Sequence, residues 1–209
     1  MAKLNRLPFI LSGKIGDHVY YRFRDKQLVR KRPSSRKSLP SDLEIQNRTR
    51  FAFMTKFLRP LKDLFDTNFK SDKMGSLTRA LSVNLKHVIP GSYPDWKVDF
   101  SKLLLGAGEI TGAGELQVSA HTSGQLLFVW EARNRRGRGG GDDLVYVAVY
   151  SEYLNHWLTN VGSVQRRDGF FMLDAEPLIG FHVHVYLGLI STQWSSSSDS
   201  QYLGEIEVV

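Results

Sequence analysis

Positive charges and aromatic rings are interleaved near the N-terminus, and this is the strongest chemical signal in the sequence. Cationic side chains neutralise phosphates, and aromatic rings offer faces on which nucleic-acid bases stack. The same arginines could instead form ion pairs with an acidic protein, or keep a strand edge soluble. The residues predicted to contact a partner are Lys14, Tyr20, Tyr21, Arg22, Phe23, Arg24, Lys26, Arg30, Lys31, Arg32, Arg36 and Lys37.

A second basic segment, residues 133–141, reads Arg-Asn-Arg-Arg-Gly-Arg-Gly-Gly-Gly. It has no Gly-Lys-Ser or Gly-Lys-Thr and precedes no predicted helix, which distinguishes it from the phosphate-binding loops of nucleotide-binding proteins. We expect a loop between two strands that could contact nucleic acid or anionic sugars.

No pattern in the sequence is typical of a catalytic centre. Gly-x-Ser-x-Gly, His-Glu-x-x-His and glycosidase-like carboxylate pairs are missing, and Asp142 and Asp143 are predicted to be solvated. Because the chain has no cysteine, thiolate catalysis and disulfides are excluded. His182 and His184 share one face of a predicted strand, but a metal site would also need His156 or His121 to come near. We expect no enzymatic activity, no cofactor and no metal.

Two tryptophans could act as platforms for sugar rings. Trp194 opens a serine-rich loop between the last two predicted strands, and loops at the end of a β-sandwich often carry binding sites. Packing of Trp194 on the sheet is the alternative. Trp157 is the other candidate, and together they suggest a carbohydrate- or surface-binding module.

The basic aromatic segment is predicted to form a β-hairpin. Val19, Tyr21 and Phe23 alternate with polar or basic residues, and residues 25–27 form a polar turn. One face of the hairpin should be apolar and the other basic. Residues 33–40 contain two prolines and three serines and are predicted to be a linker.

Three helices are predicted after the linker. A Ser-x-x-Glu capping box at residues 41–44 starts the first helix, which ends near Leu58. A second, short helix covers residues 60–66, and a third starts near residue 76 and stops before Pro90. The buried face of the first helix is predicted to comprise Phe51, Met54 and Leu58.

The pattern changes to short strand-like runs at about residue 98. The runs cover residues 98–105, 115–120, 125–131, 144–150, 161–165, 169–173, 181–190 and 201–208. Many short strands separated by turns favour a sandwich over βαβ units. In the run 181–190, Phe181, Val183, Val185 and Leu187 should face the core, with His182, His184 and Tyr186 on the other side.

The predicted fold is therefore α+β but mostly β. A β-hairpin and short helices, residues 1–97, precede an immunoglobulin- or fibronectin-like antiparallel β-sandwich, residues 98–209.

The two halves of the sequence carry opposite net charge. Residues 1–100 hold 21 Lys and Arg against 9 Asp and Glu, a net charge of +12, whereas residues 101–209 hold 7 against 12, a net charge of −5. A basic head that meets an acidic tail is a head-to-tail contact, which builds rings or filaments. The first partner we expect is therefore a second copy of the chain, and nucleic acid is the alternative.

We expect no transmembrane segment and no standard signal peptide. No apolar run approaches the roughly 18 residues of a membrane span, and the apolar stretch 7–11 is shorter than a signal-peptide core. The assembly hypothesis would place the protein at a cell surface, outside the cell or in a particle.

Short motifs recur along nearly the whole chain, at residues 12–16 with the following hairpin, 57–61, 84–86, 90–94, 99–105, 129–130, 185–188 and 200–204. Together they resemble an uncharacterised Bacteroidota family, domain-of-unknown-function family 6266. The resemblance implies a bacterial protein with a C-terminal β-sandwich. Because the family has no assigned activity, no site residue carries over, and the Arg-Gly segment departs from its pattern.

The sequence thus predicts a non-enzymatic structural protein that assembles into a filament, surface fibre or particle. Its basic N-terminal arm would dock on a neighbouring subunit, and a free strand edge could add to the sheet of that neighbour. The first alternative is a nucleic-acid-binding protein that uses the basic hairpin, and the second is the carbohydrate- or surface-binding module.

Overall fold

The computed structural model describes residues 2–3, 11–23, 26–34, 39–69, 75–91, 93–133, 137–193 and 196–209. The chain forms two compact units, residues 1–41 and residues 42–209. The first unit is a small antiparallel sheet. The second is a β-sandwich with helices packed on one of its sheets.

The N-terminal unit, which we call the arm sheet, has four short strands among its described residues. They are β1 (Ala2–Lys3), β2 (Gly13–Ile15), β3 (His18–Phe23) and β4 (Lys26–Lys31), in the order β1-β4-β3-β2. The predicted hairpin is confirmed as the pair β3 and β4, with Tyr21 opposite Leu28. Its last pair joins Phe23 to Lys26, so Lys26 and Gln27 belong to a strand rather than to the predicted turn.

Among the described residues of the second unit, three helices come first, as predicted. They are α1 (Asp42–Leu58), α2 (Lys62–Asn68) and α3 (Ser76–Asn84), and a 3-10 turn, Arg59–Leu61, joins the first two. Met54 and Leu58 are fully buried, but the prediction that Phe51 is buried is wrong, because its side chain is 50% exposed. The buried stripe of α1 starts one turn later, at Phe53 and Met54.

Within the part of the chain that the structure describes, seven strands form the sandwich. They are β5 (Gly114–His121), β6 (Gln125–Glu131), β7 (Leu144–Ser151), β8 (His156–Gln165), β9 (Phe170–Asp174), β10 (His182–Ile190) and β11 (Gln201–Glu207). A four-stranded sheet has the order β11-β10-β7-β8, and a three-stranded sheet has the order β5-β6-β9. All pairs are antiparallel, so the predicted immunoglobulin- or fibronectin-like sandwich is confirmed.

The strand predicted over residues 98–105 is wrong. This segment holds a 3-10 turn, Phe100–Lys102, and its apolar residues Leu103 and Leu105 are buried against helices rather than in a sheet. The Asn84 side chain takes the place of a strand partner, since its amide donates to the Leu104 carbonyl and its oxygen accepts from the Leu104 N–H, both at 2.8 Å.

A first core lies between the two sheets. Alternate residues of β6, β7 and β10 point into it, as the period of two requires. Its central members are Leu126, Phe128, Trp130, Val145, Val147, Val149, Val183, Val185, Leu187 and Leu189. The predicted core face of β10 is therefore confirmed for Val183, Val185 and Leu187, but Phe181 precedes the strand and is only half-buried.

A second core covers the opposite face of the four-stranded sheet. Tyr146, Ala148, Tyr150, Trp157 and Tyr186 pack there against the three helices. The fold thus has three layers, helices on sheet on sheet. Because the helices share this core with the sheet, residues 42–97 belong to the same compact unit as the sandwich, and the chain divides between residues 41 and 42 rather than at the predicted boundary between 97 and 98.

None of the helices in the described part of the chain is both long enough and apolar enough to cross a bilayer.

Candidate functional site

The arm sheet exposes both of its faces. Across an antiparallel pair, opposite residues point to the same side. One side, which we call the Tyr21 face, therefore carries Lys14, Val19, Tyr21, Phe23, Lys26, Leu28 and Arg30. The other, the Tyr20 face, carries Ile15, His18, Tyr20, Arg22, Gln27, Val29 and Lys31. The prediction of one apolar and one basic face is wrong, because β4 begins at Lys26 and its alternation then puts cations on both sides.

No described side chain of the arm sheet is buried. Val19, Tyr21 and Leu28 are half-buried, and Phe23 is 55% exposed. A small sheet needs an apolar face that is covered, or a helix packed on it, to be stable by itself. The arm sheet has apolar residues but no closed core among the residues described.

Nine of the twelve predicted contact residues can be placed. Lys14, Tyr21, Phe23, Lys26 and Arg30 share the Tyr21 face, Tyr20, Arg22 and Lys31 share the Tyr20 face, and Arg32 follows β4. The remaining three, Arg24, Arg36 and Lys37, lie outside the described residues. The predicted set is therefore split between two surfaces.

On the Tyr21 face, cationic residues lie at both ends of a group of apolar residues, which are Val19, Tyr21, Phe23 and Leu28. The Arg30 guanidinium lies 5.7 Å from the centre of the Tyr21 ring, within the range of a cation–π contact. Lys14 flanks Val19 near Arg30, and Lys26 marks the opposite end beside Phe23.

An exposed apolar surface lies on the outer side of the three-stranded sheet. Val129 pairs with Phe170, and Leu127 pairs with Met172. Phe170 is 60% exposed, Val129 44% and Met172 38%. Carboxylates stand at the two ends of this group, Glu131 two residues beyond Val129 and Asp174 two residues beyond Met172. We call this surface the acid-flanked face.

A groove of about 740 Å³ opens where α1 meets the four-stranded sheet. We call it the aromatic groove. Half of its lining residues are aromatic, and charged and polar residues lie among the rings. The lining residues are Phe53, Lys56, Phe57, Pro60, Trp96, Lys97, Val98, Phe100, Tyr150, Glu152, Asn155 and Trp157. Trp157 is the one residue of this set that was predicted from the sequence to bind a ligand.

The rings of the groove are fixed by their neighbours. Phe57 contacts Tyr150 edge-on at 5.2 Å between ring centres and lies 5.5 Å from Trp157. The Tyr150 hydroxyl donates to Asn155 Oδ1 at 2.9 Å, and the Trp96 indole N–H donates to Thr49 Oγ1 at 3.4 Å. Burial, reinforced by the Glu152 carboxylate, raises the pKa of Tyr150, so this hydroxyl stays protonated and neutral.

His184 lies behind the aromatic groove. Its ring stacks on Phe100 with 3.7 Å between centres, and its Nδ1 lies 2.9 Å from the Tyr202 hydroxyl. Burial lowers the pKa of His184 in spite of the opposing effects of Glu152 and Glu205. Within the described ranges, no three His, Asp or Glu side chains come together as metal ligands.

The Arg-Gly segment is anchored by a buried ion pair. Arg138 pairs with Glu109 at the surface, while residues 134–136 lie outside the described part. Asp143, predicted to be solvated, is only 2% exposed and lies 3.2 Å from the buried Arg166. That prediction is wrong because Arg166 requires a buried counter-charge. Arg166 also donates to the Thr111 carbonyl at 2.6 Å.

Several residues of the motifs noted in the sequence have structural tasks. The Trp130 indole donates to the Arg166 carbonyl at 2.7 Å, and the Tyr186 hydroxyl donates to the Phe100 carbonyl at 2.8 Å. Gly188 lies against the Tyr146 side chain so closely that a Cβ would overlap the hydroxyl. The first of these contacts joins β6 to the turn after β8, the second holds the Phe100 segment on the four-stranded sheet, and the third lies between β7 and β10. Trp194, the other predicted sugar platform, lies outside the described residues.

Comparison with known proteins finds structural likeness at low identity. No curated protein matches the sequence. A fibronectin type III domain of human collagen alpha-1(XX) superposes with a TM-score of 0.38 at 12% identity, over 50% of this chain and 90% of that one. The FN1–FN3 domains of chicken CNTN1 give a TM-score of 0.34 at 13% identity, over 48% of this chain and 32% of that one. The model of a family of unknown function, DUF6266, matches residues 10–204, and the chain belongs to that family.

Proposed function

We propose that the protein is a non-enzymatic assembly subunit, in which the Tyr21 face of one copy docks on the acid-flanked face of the next. The observation that carries the proposal is that these two exposed surfaces have the same layout with opposite charge. Each has four apolar residues at its centre and charged residues at both ends.

The dimensions of the two surfaces are compatible. Arg30 and Lys26 are four residues apart on β4, which corresponds to about 14 Å along a strand. Asp174 is level with Gln125, six residues from Glu131 on β6, or about 20 Å. Lys and Arg side chains are long and flexible, so their charged ends can span the difference.

The charge of the two units favours such an encounter. Residues 1–41 contain eleven Lys and Arg against two Asp, a net charge of +9, and the remaining residues have a net charge of −2. Opposite potentials steer association and fix its orientation, whereas the burial of apolar surface supplies most of the affinity. We therefore expect assembly that is faster and stronger at low salt.

The contact is heterologous, since it joins two different surfaces of the same chain. Such contacts propagate into rings or open filaments unless the rotation between subunits closes. A filament, a surface fibre or the shell of a particle are the products that fit. Docking would also cover the apolar residues of the arm sheet, which have no closed core of their own among those described.

The test is light scattering coupled to size-exclusion chromatography in about 50 mM and about 500 mM salt. Wild-type protein should form species larger than a monomer, and more of them at low salt. Replacing Lys26 and Arg30 by Glu should abolish them. The matched control replaces Arg22 and Lys31 by Glu, which changes the net charge of the same hairpin equally but on the Tyr20 face, and it should still assemble.

Two results would contradict the proposal. One is a wild-type monomer at high concentration in both salts. The other is equal loss of assembly in both charge-reversed variants. If single-stranded DNA or RNA binds to the wild type and both variants weaken that binding alike, the arm serves nucleic acid rather than a second copy.

A further inference from the structure

We infer that the aromatic groove binds an acidic saccharide. This site lies within the second unit and does not depend on the assembly proposal. Its volume of about 740 Å³ lies in the range of sites that hold small molecules, and it is open to solvent.

The apolar part of the groove suits the C–H face of a sugar ring. Tyr150 and Trp157 are buried and form its floor, and Phe53, Phe57 and Trp96 are half-buried at its sides. Rings held by edge-on and tilted contacts keep their positions, so a ligand would find a preformed surface.

The polar part of the groove determines the class of ligand. Lys56 and Lys97 are exposed on its lining, and neither forms an ion pair with a residue that the structure describes. The lining thus holds two lysines against one carboxylate, Glu152, and this excess of positive charge favours a ligand that carries a carboxylate. The carboxylate of Glu152 and the amide of Asn155 lie on the same lining and match hydroxyl groups as acceptor and donor.

A uronic-acid oligosaccharide satisfies all of these groups. A fatty acid or an aryl carboxylate would match the lysines but would offer no hydroxyl to Glu152. An organic ammonium ion would match the rings and Glu152, but it would face two lysines.

The experiment is a calorimetric titration of the full chain with trimers of galacturonate and of mannuronate, and with maltotriose as the neutral counterpart. At least one uronate trimer should bind about tenfold or more tightly than maltotriose, because the charge-assisted contacts with the lysines contribute only for the acid. The titration is repeated on the variant with Lys26 and Arg30 replaced by Glu, where the same affinity is expected, so failure of the assembly proposal leaves this result unaffected.

Three variants locate the site. Replacing both Lys56 and Lys97 by Ala should remove the preference for the acid, and Trp96→Ala should weaken binding about tenfold. In the matched control variant, Lys62 and Lys86 are replaced by Ala. These two lysines are exposed and lie outside the groove, so this variant should bind the trimers as the wild type does. The lysine variants change only exposed side chains, so they remain informative if Trp96→Ala fails to fold.

Absence of binding by both uronate trimers would overturn the inference. Equal affinity for maltotriose would overturn the assignment of an acidic ligand, and so would equal loss of affinity in the groove and control lysine variants.

Discussion

The arm sheet and the four-stranded sheet contain similar residues but differ in how far their side chains are buried. β3 and β4 have no buried side chain among those described, whereas every residue of β10 except His182 is buried. β10 is covered by a sheet on one face and by helices on the other. Alternation of apolar and polar residues therefore predicts a strand, but the layers that pack on the strand decide whether its two faces are buried.

The largest expected effect on stability comes from breaking the buried ion pair of the second unit. Asp143→Ala should lower the free energy of unfolding by about 3–5 kcal/mol, because it leaves the buried Arg166 without its counter-charge. The neighbouring Asp142 pairs with Arg167 at the surface, so Asp142→Ala should cost less than about 1 kcal/mol. Urea denaturation of the two variants measures the difference, and equal costs would contradict the account.

The next prediction compares the two sheets directly. Leu187 is fully buried between the sheets, and Leu187→Ala should cost about 3 kcal/mol in the unfolding of the second unit. Leu28 is half-buried in the arm sheet, so Leu28→Ala should leave that transition within about 0.5 kcal/mol and should weaken assembly. A large loss of stability of the second unit in the Leu28 variant would remove the distinction between the two sheets.

Much of this contrast could be predicted, and the reason for the rest is visible in particular residues. Val183, Val185 and Leu187 identified the core face of β10 because a strand has a period of two. His184 and Tyr186 gave no sign that the other face is covered too, since polar aromatic residues occur both inside and outside proteins. The groups that cover it include Phe57 and Phe100, which are distant in the sequence.

The candidate sites, too, could be predicted only in part from the sequence. The arm residues formed a contiguous basic run, so the sequence could identify them, but the face of each one followed from the pairing of Phe23 with Lys26. The aromatic groove draws Phe53, Trp96 and Tyr150 from three separate segments. No spacing in the sequence brings these rings together, and only Trp157 had been noted.

A smaller effect is expected from pH. Burial lowers the pKa of His184 below its ordinary value, so the unfolded chain takes up a proton at a higher pH than the folded one. This contribution to stability is complete above the ordinary histidine pKa of about 6.5 and falls as the pH drops below it, towards the pKa of the folded state. His184→Gln should reduce the slope of stability with pH in this window. His182→Gln, at an exposed neighbour, should not.

Burial of the imidazole outweighs the carboxylates near His184 and therefore sets the direction of that slope. Glu152 and Glu205 oppose the shift, and the Tyr202 hydroxyl and the Phe100 ring contact the imidazole. Denaturation midpoints measured from pH 5 to pH 8 would test the prediction. A wild-type stability that rises as the pH falls through this range would contradict it.

The smallest expected change in stability concerns the acid-flanked face. Phe170 is largely exposed, so Phe170→Ser should alter the free energy of unfolding by less than about 0.5 kcal/mol. The same variant should assemble poorly because it removes the centre of the proposed contact surface. Sedimentation velocity of this variant beside the wild type distinguishes the two effects, and unchanged assembly would argue against this face as the docking surface.

The most direct test of assembly exchanges the charges of the two proposed surfaces. A chain with Lys26→Glu and Arg30→Glu should be monomeric, and adding Glu131→Lys and Asp174→Lys to the same chain should restore assembly, measured by light scattering at low salt. Recovery of the wild-type size is the result that head-to-tail docking predicts. A fourfold variant that stays monomeric while the wild type assembles would contradict it.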